Sequence, residues 1–150
     1  FFFYLLIYYS NQNQIIITGK AKIIDGDTIH IGKNKIRIHG IDAPELNQTC
    51  NFQGKEWNCG KKSKEFLLNL INSNSVNCKV TDIDKYKRYI GICFVDKLNL
   101  NKIIVINGWA IAYRYYSKDY IDEEFIAKRK KLGIWKGNFE EPYYFRKNNK

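Results

Sequence analysis

The chain has 150 residues, 45% of them hydrophobic and 15% aromatic, which fits one domain with a real core and excludes a disordered chain. Its 25 Lys and Arg against 15 Asp and Glu leave a net charge of +10 and a pI near 9.4. Such an excess favours a polyanionic partner, nucleic acid or an anionic membrane surface, or serves solubility alone; it says nothing about catalysis.

Phe1 to Tyr9 is an unbroken apolar run, followed by polar Ser10 to Gln14. Such a run is too short to cross a bilayer, which takes about 20 helical residues. Residues 1–14 therefore read as a signal-peptide remnant or a short hydrophobic anchor, with a buried first strand as the plainer alternative. The chain contains no Met, so an upstream part is expected. A folded domain is expected over 15–137 and a basic C-terminal extension over 138–150.

Ile15 to Ile24 reads as a strand that turns at Asp25-Gly26. Asp27 to Ile31 alternates, Gly32-Lys33-Asn34 turns again, and Lys35 to Ile41 places Ile36 and Ile38 on one face and Arg37 and His39 on the other. After a loop carrying Pro44 and Cys50, the spacing of Phe66, Leu67, Leu70 and Ile71 predicts a helix from about Lys55 to Ile71. Val76 to Thr81 and Tyr89 to Val95 form a second hairpin around Asp84–Arg88. A short helix runs from Asn99 to Ile106 and stops at Asn107-Gly108. Asp119 is placed to cap a third helix, with Asp122, Glu123 and Glu124 early and Lys128 to Lys131 late. That order complements the helix dipole, and these charges read as a solvated face. Five strands with a helix between the third and fourth suggest an α+β, mainly β, OB-type barrel.

The 4 cysteines form no CxxC pair and stand beside only 2 His, which argues against zinc. Cys50 and Cys59 share one loop, and Cys78 and Cys93 face each other across the second hairpin. Pairing Cys50–Cys59 and Cys78–Cys93 is favoured, as in an oxidising compartment; four reduced thiols are the other reading.

Two acidic clusters, Asp25-Gly26-Asp27-Thr28 and Asp42-Ala43-Pro44-Glu45, flank the run that contains Arg37. Singly, each is ordinary turn chemistry. Together, two aspartates able to hold a hard cation, an arginine and a spare glutamate make an apparatus for attacking a phosphodiester.

These clusters, with Ile36-Arg-Ile-His-Gly-Ile-Asp-Ala-Pro-Glu45, Asp84-Lys-Tyr-Lys-Arg88, Asn107-Gly-Trp-Ala-Ile-Ala-Tyr113 and Gly133-Ile-Trp135, resemble the thermonuclease (staphylococcal-nuclease-like) family. The cysteines and the closing stretch from Gly137 to Arg146 are similar to its exported bacterial branch. The resemblance implies a five-stranded OB-fold barrel with three helices. It implies Ca2+ on Asp27, Asp42 and the Ala43 backbone carbonyl, Glu45 as the group that activates water, and Arg37 and Arg88 on the scissile phosphate. Asp25, Lys85, Tyr86, Tyr113 and Tyr115 would support the site or line the nucleotide groove. Tyr116 stays a partly buried aromatic, and His30 and His39 stay strand residues. Lys87 stands where the family usually has Gly; a positive φ there costs roughly 1 kcal/mol and bears on where Arg88 points.

The implied function is a secreted or periplasmic calcium-dependent nuclease. It would act on DNA and RNA, single strands preferred, with low sequence specificity and 3′-phosphate products. No protein partner is evident, and a monomer is expected. The alternatives are a non-catalytic OB-fold module that binds nucleic acid and a membrane-surface protein that uses its basic charge.

Overall fold

Alternating isoleucines build the sheet of the computed structural model, which describes residues 14–150. The leader or anchor reading of the N-terminal apolar run lies outside the described residues. β1 (Ile16–Gly19) and β2 (Ala21–Ile23) are two halves of one strand, interrupted at Lys20. β3 (Thr28–Ile31) and β4 (Asn34–Ile38) form a hairpin that buries Ile29, Ile31, Ile36 and Ile38. Arg37, between two inward isoleucines, therefore faces the other way.

β5 (Ile41–Asp42) leaves this sheet and pairs much later in the chain. β6 (Cys50–Phe52) and β7 (Lys55–Trp57) form a small hairpin of their own. α1 (Cys59–Ile71) then crosses to β8 (Val76–Ile83) and β9 (Tyr89–Val95). β9 continues into β10 (Leu98–Asn99), α2 (Leu100–Ile106), β11 (Ile111–Ala112) and α3 (Ile121–Arg129). A short 3-10 helix (Gly133–Lys136) and α4 (Pro142–Asn148) end the chain, with Pro142 in the first turn, where a missing N–H costs nothing.

The sheet runs β1-β8-β9-β4-β3-β2, so the two halves of the first strand pair with opposite ends of the path and close it into a barrel. Counting β1/β2 as one strand, this is the expected five-stranded OB-fold barrel. β4 and β9 pair in parallel, Ile36 beside Tyr89 and Ile38 beside Gly91, which requires a long crossover; α1 lies on it. Both expected disulfides are present, and Cys78–Cys93 joins directly paired residues of β8 and β9. Among the described residues no helix is long and apolar enough to cross a membrane.

Three expectations need correction. The helix expected from Lys55 begins at Cys59, because Gln53 and Gly54 both take positive φ (53° and 76°) and close a tight hairpin turn first. Asp119 does not cap α3; its carboxylate meets His39 Nε2 at 2.9 Å, and Tyr120 precedes the helix. Glu124 is not solvated: it is 1% exposed, accepts the Ala112 N–H at 3.2 Å and pairs with Arg114 and Lys128. The charge order along α3 does complement its dipole, but one of its acids serves the interior. α4 is an additional helix, beyond the three that were expected.

Candidate active site

One side of the barrel gathers carboxylates from separate turns, with Arg37 at their centre. Asp27 immediately precedes β3, Arg37 lies opposite Thr28 on β4, and Asp42 is fixed by the pairing of β5 with Ile111 of β11. Arg37 Nη1 lies 2.8 Å from Asp27 Oδ1, and Nη2 lies 3.1 Å from Asp42 Oδ1 and 3.2 Å from the Ile41 carbonyl. The Ala43 N–H donates to Asp27 Oδ2 at 2.8 Å, and Thr28 Oγ1 to Asp27 Oδ1 at 3.1 Å. Both aspartates are buried, at 3% and 0% exposure, so without Arg37 their charges would have no compensation from solvent.

Glu45 sits on a loop whose conformation is held by Gln48. Gln48 Oε1 accepts the Glu45 N–H at 3.1 Å, its own N–H donates to the Glu45 carbonyl at 2.8 Å, and its Nε2 donates to the Glu140 carbonyl at 2.7 Å. The loop packs against the start of α1 so closely that a Cβ on Gly60 would fall 1.7 Å from the Glu45 carbonyl oxygen. Only glycine fits there.

Arg146 completes the cluster, and no role was assigned to it from the sequence. From α4 its Nη1 reaches Asp42 Oδ1 at 2.8 Å and Glu45 Oε1 at 2.7 Å, and its Nη2 reaches Asp42 Oδ2 at 3.2 Å. Glu45 Oε2 has no hydrogen-bond partner among the described residues.

The electrostatics follow from this crowding. Burial, then the Asp27 charge and to a smaller extent Glu45, push the Asp25 carboxyl up to about 8, although Asp25 Oδ1 accepts the Asp27 N–H at 3.0 Å. Burial would raise Asp27 too, but the Arg37 charge and the Ala43 N–H hold it below its ordinary value. Burial raises Asp42 even with Arg146 and Arg37 on its oxygens. Arg37 and Arg146 are held protonated against burial by the aspartates they touch.

A raised Asp25 has a consequence for stability with a definite sign. Between about pH 4 and 8 the folded protein keeps a proton that the unfolded chain releases, so this group's contribution falls as pH rises through that window. Metal-free protein is expected to show a higher urea midpoint near pH 5 than near pH 8 on this account, and Asp25→Asn is expected to flatten the difference. Equal slopes for the two proteins would show that Asp25 titrates normally.

The donor set fits a hard divalent cation. Asp27 and Asp42 offer carboxylate oxygens, the Ala43 peptide is held against Asp27, and the mutual repulsion of Asp25, Asp27 and Glu45 is what a cation relieves. No ready-made group of three acidic, His or Cys ligands exists among the described residues, so a backbone carbonyl and water would have to complete the shell.

The remaining expected residues divide between two places. Tyr113 lies under Arg37, with its guanidinium carbon 5.7 Å from the ring centroid, and stacks with Tyr115 at 6.3 Å. Tyr115 is 81% exposed; Tyr116, expected to be partly buried, is 68% exposed and packs edge-on against both neighbours. The loop from Tyr113 to Ser117 is short and turned outward, so its tyrosines cover one another instead of the core. Lys85, Tyr86 and Arg88 lie on the β8–β9 turn. Arg88 Nε pairs with Asp84 Oδ2 at 2.8 Å and its guanidinium lies 5.5 Å from the Tyr86 ring centroid, so its ion pair is with Asp84 and not with the clustered carboxylates. Lys87 does take a positive φ, 62°. Asp84 offsets that strain by accepting the Tyr86 and Arg88 N–H groups at 2.9 and 3.0 Å.

Comparison with known proteins fits this geometry. Residues 35–137 match the family described as Staphylococcal nuclease homologue. Micrococcal nuclease of Shigella flexneri is 31% identical over 148 residues, covering 87% of this chain and 80% of its own length. An uncharacterized endonuclease of Haemophilus influenzae is 34% identical over 138 residues, covering 87% of this chain and 72% of its own. Succinoglycan biosynthesis protein ExoI of Rhizobium meliloti is 33% identical over 128 residues, covering 83% and 67%.

Proposed function

The chain belongs to the staphylococcal nuclease family and is a nuclease, and on that footing we propose that it hydrolyses DNA and RNA with calcium as cofactor. The observation that supports this reading is the continuous network of Asp27, Arg37, Asp42, Arg146 and Glu45, which separate turns and the C-terminal helix bring together at one edge of the barrel. In this reading Asp27, Asp42 and the Ala43 carbonyl hold Ca2+, which when bound polarises a phosphate oxygen. Glu45 takes a proton from the attacking water through Oε2, the oxygen that has no partner among the described residues. Arg37, whose Nη1 and Nη2 already hold Asp27 and Asp42, offers the phosphate its remaining N–H groups, and its charge counts most as negative charge builds on phosphorus. Arg88, which here pairs with Asp84, would join it on the phosphate. The 5′ oxygen then departs, leaving a 3′-phosphate end. Tyr113, Tyr115, Lys85 and Tyr86 meet bases and backbone without reading base edges, so specificity is low and unstacked single strands are preferred.

The two disulfides support a secreted or periplasmic location, where such bonds persist, and we take the protein to act as a monomer. Denatured DNA incubated with the protein is expected to be cut in calcium and left intact in chelator, with 3′-phosphate ends on the fragments. Undiminished cutting in chelator would remove calcium from the mechanism, and salt-sensitive binding without any cutting would return the protein to the class of non-catalytic OB modules.

A further inference from the structure

We propose that Arg146 is a further residue of the active site, whose guanidinium holds Asp42 and Glu45 together in the metal-free enzyme and competes with the divalent cation for Asp42. The inference rests on the reading of Asp42 as a metal ligand. Asp42 is fully buried, and both its oxygens are occupied: Oδ1 by Arg37 and Arg146, Oδ2 by Arg146. A cation that takes an oxygen of Asp42 therefore meets a guanidinium already on it. Two positive charges at that spacing in a buried site repel strongly, so one of them has to leave.

Arg146 is the one placed to move. Arg37 sits on a barrel strand, 15% exposed in its side chain, and is also tied to Asp27 and the Ile41 carbonyl. Arg146 is 32% exposed in its side chain, and α4 buries only Pro142. The chain just before the helix stays anchored, because buried Gln48 holds the Glu140 carbonyl. Release can thus be confined to residues 142–148 while the Glu45 loop keeps its place. α4 also lies outside residues 35–137, the part that matches the family, so this guanidinium comes from an element beyond the matched region. While docked it also engages Glu45 Oε1, so the metal ligand and the water-activating group are released by one movement.

The test is calcium affinity, measured by titration calorimetry with calcium chloride alone. Arg146→Gln is expected to bind calcium on the order of 10-fold more tightly than the parent, within the usual range of coupling between sites. Arg146→Lys, which keeps the charge but loses the fork, is expected to fall between them. Lys147→Gln makes the same change in net charge one residue away and is expected to leave the affinity nearly unchanged. Calcium is also expected to speed amide exchange over residues 142–148 in the parent and not in Arg146→Gln. Parent-like or weaker calcium binding by Arg146→Gln, with binding abolished by Asp42→Asn, overturns the competition alone. Parent-like binding by Asp42→Asn overturns both the competition and the site reading beneath it. An equal gain in Lys147→Gln overturns the competition in favour of a general charge effect.

Discussion

Glu45→Gln is expected to lower kcat on denatured DNA by a factor on the order of 10² or more while leaving the fold and the substrate KM close to the parent. The substitution is nearly isosteric and exposes no cavity. Its carbonyl oxygen can still accept from Arg146 Nη1, which Glu45 Oε1 now does at 2.7 Å. The hydrogen bonds that hold the loop, between the Glu45 backbone and Gln48 and from the Gln48 side chain to the Glu140 carbonyl, do not involve the changed atoms. What disappears is the ability of the second oxygen to accept a proton from water. A loss confined to kcat therefore identifies a proton acceptor. If Glu45→Gln instead kept parental kcat, water activation would belong elsewhere, and Asp25, whose carboxyl is pushed up by burial and the Asp27 charge, is the next group to test.

The site's charge runs against the chain's. A protein of net +10 attracts polyanions at long range, yet the proposed site is built from Asp25, Asp27, Asp42 and Glu45. The conflict is resolved locally by Arg37 and Arg146 in the metal-free state and, in the proposed mechanism, by calcium and Arg37 during turnover. In that mechanism the acidic residues draw the cation, and the loaded site, with Arg37 beside it, then accepts a phosphodiester.

How much of this was legible in the sequence depends on the range of the signal. The barrel strands were legible because Ile29, Ile31, Ile36 and Ile38 repeat with period two, and Asp27 and Asp42 because acidic residues at strand ends in a basic chain are unusual. The hairpin before α1 was not: Lys55-Glu56-Trp57 is as polar as a first helical turn, and only the positive φ at Gln53 and Gly54 decides against helix. Glu124 looked like one more surface acid, because nothing local reveals that Ala112 and Arg114 meet it across the chain. Arg146 was hidden for the same reason. Its partners lie 101 and 104 residues earlier, and a seven-residue helix carries too little periodicity to reveal which face turns inward. The usable hints were the Pro142 that opens α4 and the resemblance of the closing stretch, which ends at Arg146 itself.

Arg37→Ala is expected to remove both activity and much of the stability, and the two losses have different causes. For activity, losing one preorganised donor to the phosphate typically costs 10²–10³-fold, about the scale expected here. For stability, the side chain compensates two buried carboxylates at once, at 2.8 and 3.1 Å, and stripping a buried pair of its partner costs about 3–5 kcal/mol. The pH dependence separates this from simple loss of packing. With Arg37 present, Asp27 is held below its ordinary value, so its contribution is present above about pH 4 and is lost as pH falls through the lowered value. Without Arg37, burial dominates and drives Asp27 upward. The variant should therefore gain stability relative to the parent as pH is lowered from 8 to 5, because protonation discharges the uncompensated group. Urea midpoints in chelator at the two pH values measure this directly. Arg37→Lys, which restores a charge without the fork, is expected to recover most of the stability and little of the activity, since one ammonium cannot serve both aspartates and a phosphate. If Arg37→Ala unfolds at the parental midpoint at pH 8, the buried aspartates are compensated by Arg146 and the Ala43 N–H alone, and Arg37 acts on the substrate without being needed to hold the site together.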